Sequence, residues 1–209
     1  RAPQIFDLWA SEFGGNLRLV RVLGGQSVSP YLTDVVAGFE NAYLKADAIG
    51  LNAYFGLTGV STDQDAERFA ALTNAQALEE IRTTSLPATM AELQAQIATV
   101  AKYDNLKVMA FEGGNSLWPP YPALSNPRLK AKLDSIQRDP GMKAIYTEYL
   151  AGWFSNGGHL MMHFVDAESY SERAGWFGSL EYLYQPRSQA PKYDALMSFI
   201  DANRNRITP

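Results

Sequence analysis

Apolar residues are concentrated in four short runs, 17–23, 48–53, 106–111 and 160–165, each rich in Leu, Val, Ile, Met or Phe. Runs of this length flanked by helical periodicity predict strands buried on both faces, as in a parallel sheet. Between them the apolar period lengthens to that of a helix. Ile5, Phe6, Trp9 and Phe13 share one face and stop at Gly14-Gly15-Asn16, a sequence that permits a left-handed helix end. After Gly24-Gly25-Gln26, a second stripe starts near Pro30 and continues through Leu32, Val35, Val36, Phe39 and Tyr43.

The connection 56–105 is long, with a polar part over 61–68 and two predicted helices, one through Leu78 and Ile81, the other through Met90, Leu93, Ile97 and Val100. Gly, Pro, Ser and Asn fill 113–127, predicting an irregular loop, and helical sequence resumes near Pro127. The best-marked helix starts at Asp139-Pro140, carries Met142, Ile145, Tyr146, Tyr149, Leu150 and Trp153, and stops at Asn156-Gly157-Gly158. A loop over 166–185 precedes a closing helix with Tyr193, Leu196, Met197, Phe199 and Ile200. Alternation of strands and helices implies a parallel sheet with right-handed crossovers, and both an open doubly wound sheet and part of a closed barrel fit it.

Composition narrows the function classes. The 209 residues are 46% hydrophobic and 19% charged, which suits one globular domain over 1–209. With a net charge of −4, the chain has no basic field for nucleic acid or an anionic membrane surface. Cysteine is absent, so disulfides and thiolate metal sites are excluded and secretion stays open. No apolar run approaches the roughly 20 residues a spanning helix needs. The sequence opens at Arg1 without a methionine or an apolar leader, so the expectation is that whatever preceded Arg1 has been removed or lies outside this sequence.

Parallel α/β folds carry their sites where strands end. Those positions hold Gln26, then Asn52 and Tyr54, then Glu112, then His163 and Asp166, with Trp118 and Trp176 in the loops beyond. Glu112 closes an apolar run, and burying an ionised group there is costly unless it is paired or functional. The following Gly113-Gly114 leaves room for close approach of a ligand. A glutamate tied to backbone amides or to an arginine is the equally weighted structural alternative. Tyr54 could donate to such a carboxylate or simply pack, and the two tryptophans could stack on sugar rings or be core. His159 and His163 lack a third ligand, so no metal is expected, and His163 is read as a hydrogen-bonding wall. Gly24-Gly25-Gln26 lacks the glycines and lysine of a phosphate loop, and there is no Gly-x-Ser-x-Gly elbow. No cofactor is expected.

The segments RLVRVLGGQ (18–26), DAIGLNAYFG (47–56), VMAFEGG (108–114) and GGHLMMHF (157–164) resemble strands five to eight of clan A glycoside hydrolases and of related bacterial cellulose-binding-domain proteins. The resemblance spans nearly the whole chain and implies a (β/α)8 TIM-type barrel of which this chain is the C-terminal half. It implies Glu112 as the nucleophile of a retaining β-glycosidase, Tyr54 as its hydrogen-bonding partner, and Gln26, Asn52, Trp118, His163 and Trp176 around the sugar. The acid/base glutamate of that clan would lie on a preceding half-barrel, in the same gene product or a second chain. The other readings are a non-catalytic carbohydrate-binding protein with a glycosidase-like cleft, and an open α/β domain in which Glu112 is structural.

Overall fold

A computed structural model describes residues 1–104, 106–171 and 175–204. Strands β1 (Val22–Gly24), β2 (Ala48–Gly56), β3 (Lys107–Ser116) and β4 (Gly158–Met161) form one sheet in the order β1-β2-β3-β4. β1 runs parallel to β2 with Val22 opposite Ala48, and β3 runs parallel to β4 with Val108 opposite Gly158. A doubly wound sheet reverses its strand order at a switch point, and these strands do not. Each strand lies beside its successor, as in part of a TIM-type barrel.

The chain divides into two compact units, the first comprising residues 1–53, 90–113 and 153–162. Its core joins Leu23, Ile49, Leu51, Val108 and Ala110 of the sheet to Ala37 of α2 (Pro30–Gly38), to Leu93 and Val100 of α5 (Leu86–Val100), and to Trp153 of α7 (Met142–Ser155). Gly50 lies on the opposite side of β2, where an added Cβ would come 2.9 Å from Val22 Cγ1 and 3.0 Å from Phe111 Cδ1. α1 (Ala2–Glu12) rests Ala2 and Phe6 on the core and ends where the Gly15 amide donates to the Ala10 carbonyl at 2.7 Å, as its glycine pair predicts.

All four strands depart from expectation: β2 and β3 run on to Gly56 and Ser116, beyond the predicted ends at 53 and 111, so 113–116 is strand and not loop. Residues 17–21 precede β1, with Leu17 and Val20 exposed, because β1 pairs with β2 only from Val22 onward. β4 starts earlier and stops at Met161, so the apolar Met162 and Phe164 are exposed beyond it. His159 therefore lies within β4 and His163 outside it.

The second unit comprises 54–89, 114–152 and the chain from His163 onward. The polar stretch 61–68 contributes a helix, α3 (Asp63–Ala71), whose capping box joins Thr62 to Asp65 and whose inner face buries Ala66 and Phe69. α4 (Asn74–Glu80) has its own box, Thr73 with Gln76, and passes through the π turn Ile81–Ser85 into α5. α6 (Pro127–Arg138) is capped by Asn126, which accepts from the Arg128 and Leu129 amides, and buries Leu129, Leu133 and Ile136 at helical spacing. α8 (Pro191–Asn203) closes the chain and buries Lys192 and Ala195. Among the described residues no helix is long and apolar enough to cross a membrane.

Candidate functional site

In the first unit the turn after β1 is organised by polar side chains from its neighbours. Asn52 Oδ1 accepts from the Ser27 amide at 3.1 Å. Gln96 of α5, fully buried, donates Nε2 to the carbonyls of Gln26 at 2.7 Å and Ser27 at 2.9 Å, while its Oε1 accepts from Thr33 at 2.7 Å. The turn is thus fixed without being closed, and Gln26 remains exposed. Burial holds the Glu92 carboxyl above its usual range, opposed by a side-chain bond to Ser27.

Glu112 is half-buried and is the sixth of the ten residues of β3, which runs on through Gly113, Gly114 and Asn115 to Ser116, so it does not end its strand as the sequence predicts. Among the described residues no hydrogen bond or ion pair involves its carboxylate, so neither an arginine nor a backbone amide holds it, and the hydrogen bond expected from Tyr54 is not formed. Counting by twos from Ala110 places it on the side of β3 opposite Phe111, and Gly113 and Gly114 follow, with Gly114 at φ +128°. The first unit also has a cleft of about 750 Å³ lined by Arg21, Asp47, Lys107 and His159 among others. It lies at the amino ends of the strands, where this fold class does not carry chemistry.

In the second unit the residues after β3 meet a buried polar network. The Tyr149 hydroxyl accepts from the Gly114 amide and the Tyr146 hydroxyl from the Asn115 amide, both at 3.1 Å. Tyr146 donates to Asn115 Oδ1 at 2.6 Å and lies 3.1 Å from His163 Nε2. Asn115 Nδ2 donates to the Trp176 carbonyl at 2.8 Å, and Lys192 Nζ reaches that carbonyl at 2.8 Å and Asn115 Oδ1 at 3.2 Å. Lys192 Nζ also sits 4.4 Å from the centre of the Tyr170 ring. Desolvation pushes the Lys192 amine well below its ordinary value and raises both tyrosine hydroxyls. Burial, helped by the charge of Lys192, pulls His163 down to about 3, so its ring is neutral at ordinary pH.

An aromatic group adjoins it. Phe177 meets Tyr54 at 5.8 Å, Trp118 at 6.1 Å and Phe164 at 5.5 Å between ring centres, each edge to face. Trp118 is 42% exposed, whereas Trp176 is 1% exposed and its indole N–H donates to Asp134. Trp176 therefore has no free face to floor a sugar subsite: its ring is core, and its carbonyl serves the Asn115–Lys192 network. Within this unit Tyr54 and Trp118 meet through Phe177, and His163 meets Tyr146, which in turn bonds Asn115. Asn115, Tyr146, Lys192 and Phe177 were not singled out from sequence; a tyrosine inside a core stripe was the available signal, because a buried hydroxyl needs a partner. No cluster of three or more His, Asp or Glu suited to a metal occurs among the described residues.

A solved structure resembles this fold. The crystal structure of the GH51 arabinofuranosidase from Xanthomonas axonopodis pv. citri matches with a TM-score of 0.52 at 11% identity, over 79% of this chain and 33% of that one. The chain thus spans about a third of that enzyme's length. At this identity the likeness concerns the fold: an α/β arrangement with a four-stranded parallel sheet, consistent with part of a TIM-type barrel. No family model matches the chain, and none of the curated proteins does.

Proposed function

We propose that this chain is the C-terminal half of a TIM-type barrel from a glycoside hydrolase and that Glu112 is the nucleophile of a retaining reaction at a β-glycosidic bond. The observation that carries the reading is a half-buried carboxylate without a partner among the described residues, in the second half of a parallel strand and followed by two glycines. In the first step the carboxylate attacks the anomeric carbon, the glycosidic bond breaks, and an acid on the preceding half-barrel protonates the leaving oxygen. Water then cleaves the ester. Such a pair of carboxyl groups stands about 5–5.5 Å apart in retaining enzymes. Gln26, Asn52 and His163 bond sugar hydroxyls, and Trp118 offers its half-exposed face to the ring. Trp176 contributes through its carbonyl.

A carbohydrate-binding protein without hydrolysis is the second reading. It is favoured by the uncharged character of Gln26, Asn52 and the neutral His163, which leaves Glu112 to supply one carboxyl where retention needs two. A dinitrophenyl glycoside carrying fluorine beside the anomeric carbon separates the two. Dinitrophenolate departs without protonation, so the first step needs only the nucleophile, and the fluorine slows hydrolysis of the ester. The expected result is a glycosyl adduct on the peptide containing Glu112, absent from Glu112→Gln. Sugar binding without an adduct, across gluco-, xylo- and arabino-configured reagents, establishes the second reading instead.

A further inference from the structure

The network around Asn115 determines where its protons lie. The Trp176 carbonyl can only accept, so the Asn115 atom 2.8 Å from it is the amide nitrogen and Oδ1 is the atom facing Tyr146 and Lys192. Oδ1 can only accept, so the single Tyr146 proton lies on the 2.6 Å bond to it. The Asn115 amide donates to the Tyr146 oxygen at 3.1 Å. With its proton committed, that oxygen has only a lone pair left for His163 Nε2 at 3.1 Å, so Nε2 must be the donor. His163 Nδ1 has no hydrogen-bond partner among the described residues, and it is not one of the sealed, unpartnered atoms there, which belong to Gln137, Trp153 and Glu168. Gly114 leaves the space the ring occupies, since an added Cβ would come 2.8 Å from Nε2.

We propose that Lys192, Asn115 and Tyr146 lock His163 in its Nε2–H tautomer, making Nδ1 a permanent hydrogen-bond acceptor for a hydroxyl donated by a polyhydroxylated ligand. The ligand class rests on the carbohydrate reading above; the lock does not. A histidine free in water exchanges tautomers and gains a proton in mild acid. Here the ring's burial and the charge of Lys192 both oppose protonation, and among the described residues the only other titratable group in hydrogen-bond contact with the ring is Tyr146. An acceptor that never becomes a donor discriminates: it takes a hydroxyl and gains nothing from a methoxy group or fluorine at the same sugar position.

Nitrogen-15 NMR of the chain labelled at histidine tests both halves, with His159→Gln removing the other histidine. The free protein is expected to show a protonated Nε2 and a bare Nδ1 for His163 throughout neutral pH. A protonated Nδ1, or an averaged pair, overturns the lock. Titration with cello-, xylo- and arabino-oligosaccharides is then expected to shift Nδ1, and methylation of the contacted hydroxyl to weaken binding about tenfold, the scale of one hydrogen bond. Oligosaccharide binding that leaves Nδ1 unmoved overturns the acceptor role. No binding by any of the three overturns the ligand class and the carbohydrate reading together, while the tautomer measurement still stands by itself.

Discussion

Tyr146 and Asn115 bond each other twice, the hydroxyl donating to Oδ1 at 2.6 Å and accepting from the amide at 3.1 Å. One side chain of α7 thereby holds both the backbone and the amide group of a residue three positions beyond Glu112. The arrangement is buried, so neither atom can turn to water when the other is removed.

Tyr146→Phe is expected to cost about 1–3 kcal/mol, because it leaves the Asn115 amide without a partner while hardly changing the packed volume. Urea unfolding of the two proteins measures the difference. A loss under half a kcal/mol would mean that water replaces the hydroxyl.

Lys192→Met reads a different balance. The amine is fully buried, and desolvation lowers its folded pKa beneath the ordinary 10.5. Between those two values the unfolded chain binds the extra proton, so wild-type stability should rise with pH until the ordinary value is passed. The variant lacks this rise. At neutral pH it should be as stable as wild type or more so, since Asn115 Oδ1 keeps Tyr146 and the Trp176 carbonyl keeps Asn115 Nδ2. Unfolding curves across neutral to alkaline pH test this, and a loss of several kcal/mol at neutral pH would show that the hydrogen bonds of the amine outweigh its desolvation.

Lys192 also shows where sequence reading stops. A lysine directly after Pro191, in the first turn of a closing helix, reads as a solvated residue, and only the tertiary fold buries it. The central strands were located but not bounded by their apolar runs: 48–53 falls within β2 and 107–111 within β3, while the less apolar ends through Gly56 and Ser116 carry no such signal. The outer pair were displaced because hydrophobicity does not report pairing, and Leu17, Val20, Met162 and Phe164 are apolar but exposed. The helix over 61–68 was hidden by its polar outer face, although Thr62 and Asp65 spell the capping box that starts it. Strand ends pointed to Glu112, Asn52 and His163; the residues that hold His163 come from α7, α8 and the end of β3, and no local spacing links them.

The two loop tryptophans, treated alike in the sequence, should now behave oppositely. Trp118→Ala is expected to change stability by less than about 1 kcal/mol, as for a partly exposed side chain, and to weaken oligosaccharide binding. Trp176→Ala removes a fully buried ring and should cost about 3–5 kcal/mol. Calorimetric melting and sugar titration of both variants decide it; a stable Trp176→Ala protein that loses sugar binding would restore that ring to the site.

His163 couples its tautomer to acid stability. Its folded pKa of about 3 lies below the ordinary 6.5 because burial penalises the imidazolium. The unfolded chain therefore binds a proton that the folded chain refuses as pH falls below 6.5. The contribution of the neutral ring is complete above 6.5 and is lost progressively down to about 3. His163→Gln places an amide donor near the position of Nε2, able to reach Tyr146, but carries no titrating group. The variant should match wild type in mild acid and lose stability less steeply below it. Urea midpoints collected from neutral pH downward give both slopes, and parallel slopes would mean that the His163 ring protonates in the folded protein as readily as in the unfolded chain.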